Sequence, residues 1–251
     1  MVHFVGAGCG APDLITLRGH RLLAGADVVI YAGSLVNPAL LEAARPDCEI
    51  HDSAGMTLEE VFAVMRAAEA AGKMTVRLHT GDPALYGAIR EQIDLLKEAG
   101  IPYDVTPGVS AFSGAAAALG VEYTLPGVSQ SVVITRMAGR TPVPEREEVA
   151  SFAAHGATMV IFLSTGLLPA LRERLLAGGY PEETPAAIVY KVSWPDEKCV
   201  VGTVGRLPAM AEENGIVRTA LILVGEFLGE QYDRSKLYDP AFSHGYREAE
   251  Q

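Results

Sequence analysis

The sequence predicts an α/β protein with two α/β domains, a parallel-sheet N-terminal domain and a mixed-sheet C-terminal domain. Short apolar runs alternate with helical stretches through the first half of the 251 residues, which favours parallel strands joined by right-handed crossovers. Those runs are almost continuously apolar, as expected for strands that are buried on both faces. In the second half, two strand-like runs are joined by a short link, which permits only antiparallel pairing.

The first half alternates strand, turn and helix in regular order. Its predicted strands are Val2–Val5, Val28–Tyr31, Met74–Leu78 and Tyr103–Thr106. Helical stretches are predicted from Pro12, from Thr57 and from near Ala84, with an alanine-rich helix after the last strand. Thr57 and Glu60 have the spacing of a capping box, and Gly72 is typical of the residue that follows a helix.

The pattern changes near Pro126 and Gly127. The predicted strands of the second half are Val132–Thr135, Met159–Leu163, Ala187–Val192, Cys199–Val204 and Leu221–Val224. Helices are predicted over Glu145–Ala154 and Leu167–Leu176. We therefore expect an N-terminal domain over 1–127, a C-terminal domain over 128–232 and a tail over 233–251.

Composition excludes several classes of protein. The net charge of −11 disfavours nucleic acid and anionic membranes as partners. No apolar run approaches the ~18 residues of a membrane span, and the first residues lack the basic region of a signal peptide. The cysteines at positions 9, 48 and 199 show no zinc or redox spacing, so we expect a cytoplasmic protein without a bound metal.

Three glycine-containing turns follow predicted strands. The first, Gly6–Ala11, satisfies the G-x-G-x-x-G/A pattern of dinucleotide-binding proteins. That interpretation also needs an acidic residue after the second strand, where this chain has Tyr31-Ala32-Gly33-Ser34. Asp13, at the start of the following helical stretch, would repel a pyrophosphate. The pattern therefore disfavours a Rossmann site, and a purely structural turn remains an alternative.

The second turn, Thr80–Pro83, contains Asp82, and the third is Pro107–Ala111. Asp82 has two interpretations, a helix cap or a residue that lines a ligand crevice. Turns at the carboxyl ends of parallel strands lie where such sheets bind ligands, and three together favour the second interpretation. The chain has no P-loop, no His-Glu-x-x-His and no G-x-S-x-G motif.

These turns resemble the motifs of the tetrapyrrole methylases, which are S-adenosylmethionine-dependent enzymes of cobalamin and sirohaem synthesis. The similarity extends from residue 2 to about residue 247. The segments that carry it are Val5–Thr16, His79–Pro83 with Tyr86-Gly87, Pro107–Ala111, Ile30–Pro38 and Ser235–Gly245. Ile30–Pro38 and Ser235–Gly245 resemble, in particular, the members of the family that methylate ring carbon 11. Cys9 departs from the family, which usually has proline there.

The resemblance implies an active site in a cleft between two α/β domains, a homodimer, and S-adenosylmethionine bound in a folded conformation. It implies methylation of ring carbon 11 of precorrin-4 or its cobalt form, with S-adenosylhomocysteine as product. Carried over by position, the implied cofactor contacts are Pro12, Gly81, Asp82, Leu85, Ser110, Ala111, Leu163, Tyr190, Thr219 and Ala220.

A tetrapyrrole edged with carboxylates needs a local cationic rim, for which the candidates are Arg136, Arg140, Lys191, Arg234, Lys236 and His244. His79, directly before the second turn, is a further predicted substrate contact. Methyl transfer to a carbon nucleophile releases a neutral thioether and depends mainly on positioning, so the sequence assigns no catalytic acid or base. Two alternatives stay open: a sister methylase that acts at another ring carbon, and a non-catalytic nucleotide- or porphyrinoid-binding protein. Neither the regiochemistry nor the presence of cobalt follows from the residues themselves.

Overall fold

The computed structural model describes residues 1–249, apart from the side chain of Ser34. The chain divides into two compact units. The first consists of Met1–Gly114 together with Lys191–Glu197, and the second of Ala115–Tyr190 and the chain from Lys198. Each unit contains one five-stranded sheet, one parallel and one mixed, which confirms the predicted fold class.

The sheet of the first unit is entirely parallel. Its strands are β1 (Val2–Gly6), β2 (Val28–Tyr31), β3 (Glu49–Asp52), β4 (Thr75–His79) and β5 (Tyr103–Thr106), in the order β3-β2-β4-β1-β5. β1 and β4 are buried at every position, in agreement with the near-continuous apolar runs. The edge strand β3 was not predicted, because its four residues are mostly exposed and form no apolar run.

Three helices belong to this unit: α1 (Leu17–Gly25), α2 (Leu58–Ala70) and α3 (Ile89–Glu98). A further helix, α4 (Ala111–Leu119), begins in this unit and continues beyond its boundary at Gly114. The predicted capping box is present, since the Thr57 side chain and the Glu60 side chain each bond the other's backbone N–H. Gly72 has a φ of +68° just beyond the end of α2, which confirms its predicted place.

Two predicted helix starts are wrong. Pro12 begins a short 3-10 turn, and α1 starts only at Leu17, where the Thr16 hydroxyl accepts a hydrogen bond from Gly19 N. The helix expected near Ala84 begins at Ile89. Tyr86 and Ala88 have φ values of +56° and +48°. This left-handed backbone cannot continue an α-helix, so the intervening residues form turns.

The sheet of the second unit is mixed. Its strands are β6 (Val132–Arg136), β7 (Thr158–Phe162), β8 (Pro185–Tyr190), β9 (Lys198–Thr203) and β10 (Ala220–Val224), in the order β6-β7-β10-β8-β9. Only β6 and β7 are parallel neighbours. β8 and β9 pair antiparallel, as the short link between them predicted.

Three helices cover this sheet: α5 (Val149–Ala153), α6 (Leu168–Ala177) and α7 (Leu207–Glu213). Fully buried side chains of α6 and the strands, among them Leu171, Leu175, Ile188 and Ile222, form the core of the unit. The helix predicted over Glu145–Ala154 is instead a 3-10 turn, Glu145–Glu147, followed by the short α5. α7 was not predicted.

The tail predicted over 233–251 has little regular structure in its described part, and residues 250 and 251 lie outside the described residues. The Arg247 guanidinium donates to the carbonyl oxygens of Leu237 and Asp239 at 3.0 and 2.6 Å, which folds the tail on itself. None of the helices described is long and apolar enough to cross a membrane.

Candidate functional site

The three glycine turns of the first unit lie side by side. Gly8 and Gly81 form an isolated antiparallel bridge, in which Gly81 N donates to Gly8 O at 2.9 Å and Gly8 N donates to Gly81 O at 3.3 Å. Ala7 N also donates to His79 O at 2.7 Å. These contacts continue the pairing of β1 with β4 into the first and second turns.

The third turn packs against the first two with no room for a side chain. A Cβ on Gly6 would lie 2.5 Å from the Gly108 Cα and 2.6 Å from the Gly81 carbonyl oxygen. A Cβ on Gly108 would lie 2.1 Å from that same oxygen. Because each obstacle is backbone, glycine is required at both positions for the turns to approach this closely.

Asp82 ties the second turn to the third. Its Oδ1 accepts a hydrogen bond from Ala84 N at 2.8 Å, and its Oδ2 accepts one from Gly108 N at 2.9 Å. The carboxylate therefore caps a turn and bridges two loops, whereas the residue before α3 is Ala88. The predicted helix-capping interpretation is thus wrong in detail, because Ala88 precedes α3, and the ligand interpretation of Asp82 stays a prediction.

The first-unit residues predicted to contact a cofactor lie near this bridge. Gly81 has a φ of +61°, and a Cβ there would be 3.5 Å from Ser110 Cα and 3.6 Å from Ala111 N. Ser110 is buried directly before α4, and Leu85 N donates to Asp82 O at 3.2 Å. Pro12 is exposed at the start of its 3-10 turn.

The second-unit residues predicted to contact the cofactor lie at the same end of three neighbouring strands of the mixed sheet. Leu163 follows β7, Tyr190 ends β8, and Thr219 precedes β10, in which Ala220 is in register with Tyr190. The Thr165 hydroxyl donates to the Ala220 carbonyl at 3.1 Å and thereby fixes the start of β10.

Two of these residues have strained backbone conformations. Leu163 has a φ of +53° with 66 % of its side chain exposed, and Thr219 has a φ of +57°. Such conformations cost about 1–3 kcal/mol each and are found preferentially at functional sites. A β-branched residue such as Thr219 is a genuine outlier there. The strain therefore supports a functional role for this end of the sheet.

The predicted cationic residues differ in their surroundings. The Arg136 guanidinium donates to the carbonyl oxygens of Met137, Thr141 and Pro142 at 3.1, 3.2 and 2.7 Å. Arg136 therefore organises the loop in which Arg140 is exposed. The Lys191 ammonium lies 2.6 Å from Asp196 Oδ2 and 5.3 Å from the centre of the Trp194 ring.

His79 lies inside the first unit rather than at its surface. It is 3 % exposed and stacks on Phe4 with ring centres 6.0 Å apart. Its Nε2 and the Thr80 hydroxyl have no hydrogen-bond partner among the described residues. Burial, with a contribution from the Arg77 charge, lowers the pKa of His79 from 6.5 to about 3. This burial argues against the predicted contact with a substrate.

The low pKa of His79 predicts that the protein loses stability in mild acid. Between about pH 6.5 and pH 3 the unfolded chain holds a proton on this ring that the folded chain lacks. The free energy of unfolding should therefore fall by up to ~1.4 kcal/mol for each unit that the pH drops in this window. Urea unfolding at several pH values should show a shallower slope for His79→Asn than for the wild type. His20→Asn, at an exposed histidine, is the control and should show the same slope as the wild type. If the free energy of unfolding falls with pH equally for His79→Asn and the wild type, His79 does not cause the loss of stability.

Sequence reasoning missed the segment Lys191–Glu197, here called the strap, apart from Lys191 itself. The strap connects β8 to β9 but belongs to the first unit. Its Ser193 hydroxyl accepts a hydrogen bond from Ala11 N at 2.9 Å and lies 3.3 Å from Cys9 Sγ. These partners are more than 180 residues apart in sequence, so no local pattern reveals the contact. Residues 1–249 contain no group of three His, Cys, Asp or Glu side chains placed to hold a metal ion.

The parallel sheet of the first unit, with glycine turns that converge at the carboxyl ends of its strands, places the chain among the open-sheet α/β proteins, which bind ligands at such turns. The model of the tetrapyrrole (corrin/porphyrin) methylases matches residues 1–208. The chain belongs to this family, as the sequence motifs predicted.

Two individual members of the family are similar to this chain over nearly its whole length. The chain is 52 % identical over 249 residues to the cobalt-precorrin-4 C(11)-methyltransferase of Methanocaldococcus jannaschii, covering 99 % of this chain and 96 % of that protein. The X-ray structure of a cobalt-precorrin-4 methyltransferase is similar with a TM-score of 0.89 and 46 % identity, covering 91 % of this chain and 96 % of that one.

A third relative was solved with a ligand. It is the uroporphyrin-III C-methyltransferase of Thermus thermophilus in complex with S-adenosylhomocysteine. It is 29 % identical to this chain, with a TM-score of 0.75, and the similarity covers 90 % of this chain and 98 % of that one.

Proposed function

We propose that this chain is an S-adenosylmethionine-dependent methyltransferase that methylates ring carbon 11 of precorrin-4 or cobalt-precorrin-4 in cobalamin synthesis. The observation that carries the proposal is its 52 % identity, over 99 % of the chain, to a cobalt-precorrin-4 C(11)-methyltransferase. The residues that hold the three turns together support it, because those turns belong to the motifs that the family shares.

The residues of the first unit fit a bound S-adenosylmethionine. Gly6 and Gly108 keep the turns free of side chains, and Asp82 holds the turns of Gly81 and Ser110 together. The exposed Leu163 and the strained Thr219 offer backbone and apolar surface at one end of the strands of the second sheet. The proposed cofactor contacts are Pro12, Gly81, Asp82, Leu85, Ser110, Ala111, Leu163, Tyr190, Thr219 and Ala220.

The chain's contribution to the reaction is positioning. S-adenosylmethionine supplies a methyl group on a sulfonium, and an in-line displacement by the ring carbon leaves a neutral thioether. The leaving group needs no proton, so the glycine turns need only orient donor and acceptor and exclude water. Orientation of this kind can supply ~7–11 kcal/mol of the barrier.

Two other functions are compatible with the fold. A sister methylase would share the turns but act at another ring carbon, and a non-catalytic porphyrinoid-binding protein would bind without turnover. Incubation of the purified chain with precorrin-4, with its cobalt form and with methyl-labelled S-adenosylmethionine separates methyl transfer from binding without turnover, and the position of the label in the product separates carbon 11 from another ring carbon. The proposal expects label in the tetrapyrrole fraction, and binding without incorporation would contradict it.

The cofactor itself gives a separate prediction. S-adenosylmethionine and S-adenosylhomocysteine should bind with dissociation constants in the micromolar range, because the residues around Gly81 and Asp82 match the motif of the family. NAD should not bind, because no acidic residue follows β2 to receive a ribose hydroxyl. Isothermal titration calorimetry measures both, and tight NAD binding without S-adenosylhomocysteine binding would contradict the prediction.

Replacing Arg136 tests whether the predicted cationic rim binds the carboxylates of the tetrapyrrole. A charge-assisted hydrogen bond to a substrate carboxylate is worth ~1.5–3 kcal/mol, so Arg136→Ala should raise the KM for the tetrapyrrole roughly tenfold or more. The Kd for S-adenosylhomocysteine should stay nearly unchanged. Arg146→Ala is the control, since the Arg146 side chain is 87 % exposed. Equal, small effects at both positions would mean that Arg136 only organises its loop.

We also propose that the chain acts as a homodimer in the cytoplasm. The tail exposes Leu237, Tyr238 and Tyr246, which are 61, 73 and 100 % exposed, and a dimer interface over the tail would remove these apolar side chains from water. The scattered cysteines favour a reducing compartment. Light scattering on the purified chain should give twice the monomer mass of 26.6 kDa.

A further inference from the structure

A groove of about 600 Å³ lies between the strap and the first glycine turn, entirely within the first unit. The strap provides Trp194 and Pro195, the first turn provides Ala11, and Pro12 directly follows that turn. Ala39, from the segment that follows β2, completes an apolar lining. The polar groups at its margin are the Asn37 amide, the Ser193 hydroxyl and the Asp196 carboxylate.

The walls of this groove are fixed to the backbone of the first turn. Asn37 Nδ2 donates to Gly10 O at 2.9 Å, while its Oδ1 accepts from Ala39 N at 3.1 Å. On the other side, the Ser193 hydroxyl accepts from Ala11 N at 2.9 Å. Both walls are therefore held by Gly10 and Ala11, which makes the groove a preformed site.

Trp194 is the only tryptophan of the chain, and it is packed against this turn. A Cβ on Gly10 would lie 2.3 Å from Trp194 Cδ1 and 2.4 Å from Val192 O, so glycine is what lets the indole approach. Two strap residues adopt left-handed backbone conformations, with φ of +46° at Lys191 and +60° at Ser193. Strain of this kind persists only where surrounding contacts enforce it, and it is concentrated at functional sites.

The chemistry of the groove suits a flat, conjugated ring with acidic substituents. Its volume lies within the ~300–1,000 Å³ typical of small-molecule sites. An indole and two prolines present flat apolar surfaces, and aromatic rings stack on such surfaces. The Lys191 ammonium is 2.6 Å from the carboxylate of Asp196, which lines the groove, and a ligand carboxylate placed there would compete with Asp196 for this ammonium.

We infer that this groove is a subsite for the macrocycle of the tetrapyrrole substrate, with a pyrrole ring against the Trp194 indole and a ring carboxylate on Lys191. The inference rests on the proposed function, because only that function brings a tetrapyrrole to this surface. Among the proposed cofactor contacts, only Pro12 lines the groove. The groove therefore adjoins the proposed cofactor site without coinciding with it.

Filling the groove tests this assignment. Ala39 lines it and is exposed, so Ala39→Phe should occupy the space without disturbing the core. We expect this variant to raise the KM for precorrin-4, and the Kd for uroporphyrin III as a stable probe, tenfold or more. The Kd for S-adenosylhomocysteine should change less than twofold. Ala70→Phe, at an exposed position of α2 outside the groove, is the matched control and should leave all three constants unchanged.

Removing the aromatic wall is the second test. Trp194→Ala should raise the KM for precorrin-4 and the Kd for uroporphyrin III about as much as Ala39→Phe does. Trp194→Phe should keep most of the wild-type affinity for both tetrapyrroles. The inference is overturned if Ala39→Phe and Trp194→Ala leave the tetrapyrrole constants within twofold of the wild type. It is also overturned if S-adenosylhomocysteine binding falls in parallel, since the groove would then hold the cofactor. A wild-type chain that binds uroporphyrin III but does not methylate precorrin-4 would refute the proposed function alone.

Discussion

Gly108→Ala is expected to abolish methyl transfer and to lower the free energy of unfolding by about 3 kcal/mol, near the upper end of the usual range for overpacking. The added Cβ would lie 2.1 Å from Gly81 O and 2.7 Å from Gly6 Cα, and neither atom can move without displacing a strand end. All three turns would separate. Urea unfolding and a methyl-transfer assay measure the two effects.

The control for this substitution is Gly55→Ala. No atom lies within 4 Å of the Cβ that alanine would add at Gly55, and its φ is not left-handed. This variant should keep both the activity and the stability of the wild type to within ~0.5 kcal/mol. If Gly108→Ala behaves like Gly55→Ala, the close packing of the turns is not what holds the site together.

Asp82→Ala is expected to raise the Kd for S-adenosylhomocysteine at least tenfold and to cost about 1–3 kcal/mol of stability. Both carboxylate oxygens are occupied, one by Ala84 N and the other by Gly108 N, so alanine leaves two N–H groups without their acceptors. The turn of Gly81 and the turn of Ser110 lose their direct link. Calorimetry and thermal unfolding of the same preparations separate affinity from stability.

Asp82→Asn is the informative companion, because an amide keeps one oxygen acceptor and nearly the same shape. It should lie between the wild type and Asp82→Ala in both measurements. Asp13→Ala, at an exposed acid of the 3-10 turn that follows the first glycine turn, is the control. A lower melting temperature for Asp82→Ala with unchanged S-adenosylhomocysteine affinity would mean that Asp82 is only a structural cap.

Much of the fold was predictable because it depends on local patterns. Buried parallel strands are recognisable as apolar runs, and the short link between β8 and β9 left antiparallel pairing as the only choice. Convergence of the three turns also followed, since parallel strands end at one edge of a sheet. The edge strand β3 was missed because exposed residues such as Glu49 carry no apolar pattern.

The site was predictable only in part, because several of its contacts join residues distant in sequence. Asp82 was singled out by its turn, but its bond to Gly108 spans 26 residues and follows from no spacing rule. The contact between Ser193 and Ala11 spans 182 residues. His79 was predicted to contact the substrate because it directly precedes the second turn, and that position gives no indication that its side chain is buried in β4.

The most direct test of the central claim is the structure of the reaction product. Precorrin-4, and separately its cobalt form, is incubated with the purified chain and S-adenosylmethionine carrying a ¹³C-labelled methyl group. The product is then analysed by mass spectrometry and NMR. We expect the mass gain of one labelled methyl group, with the ¹³C resonance coupled to ring carbon 11. A methyl group at another ring carbon, or an unmodified macrocycle recovered with intact cofactor, would contradict it.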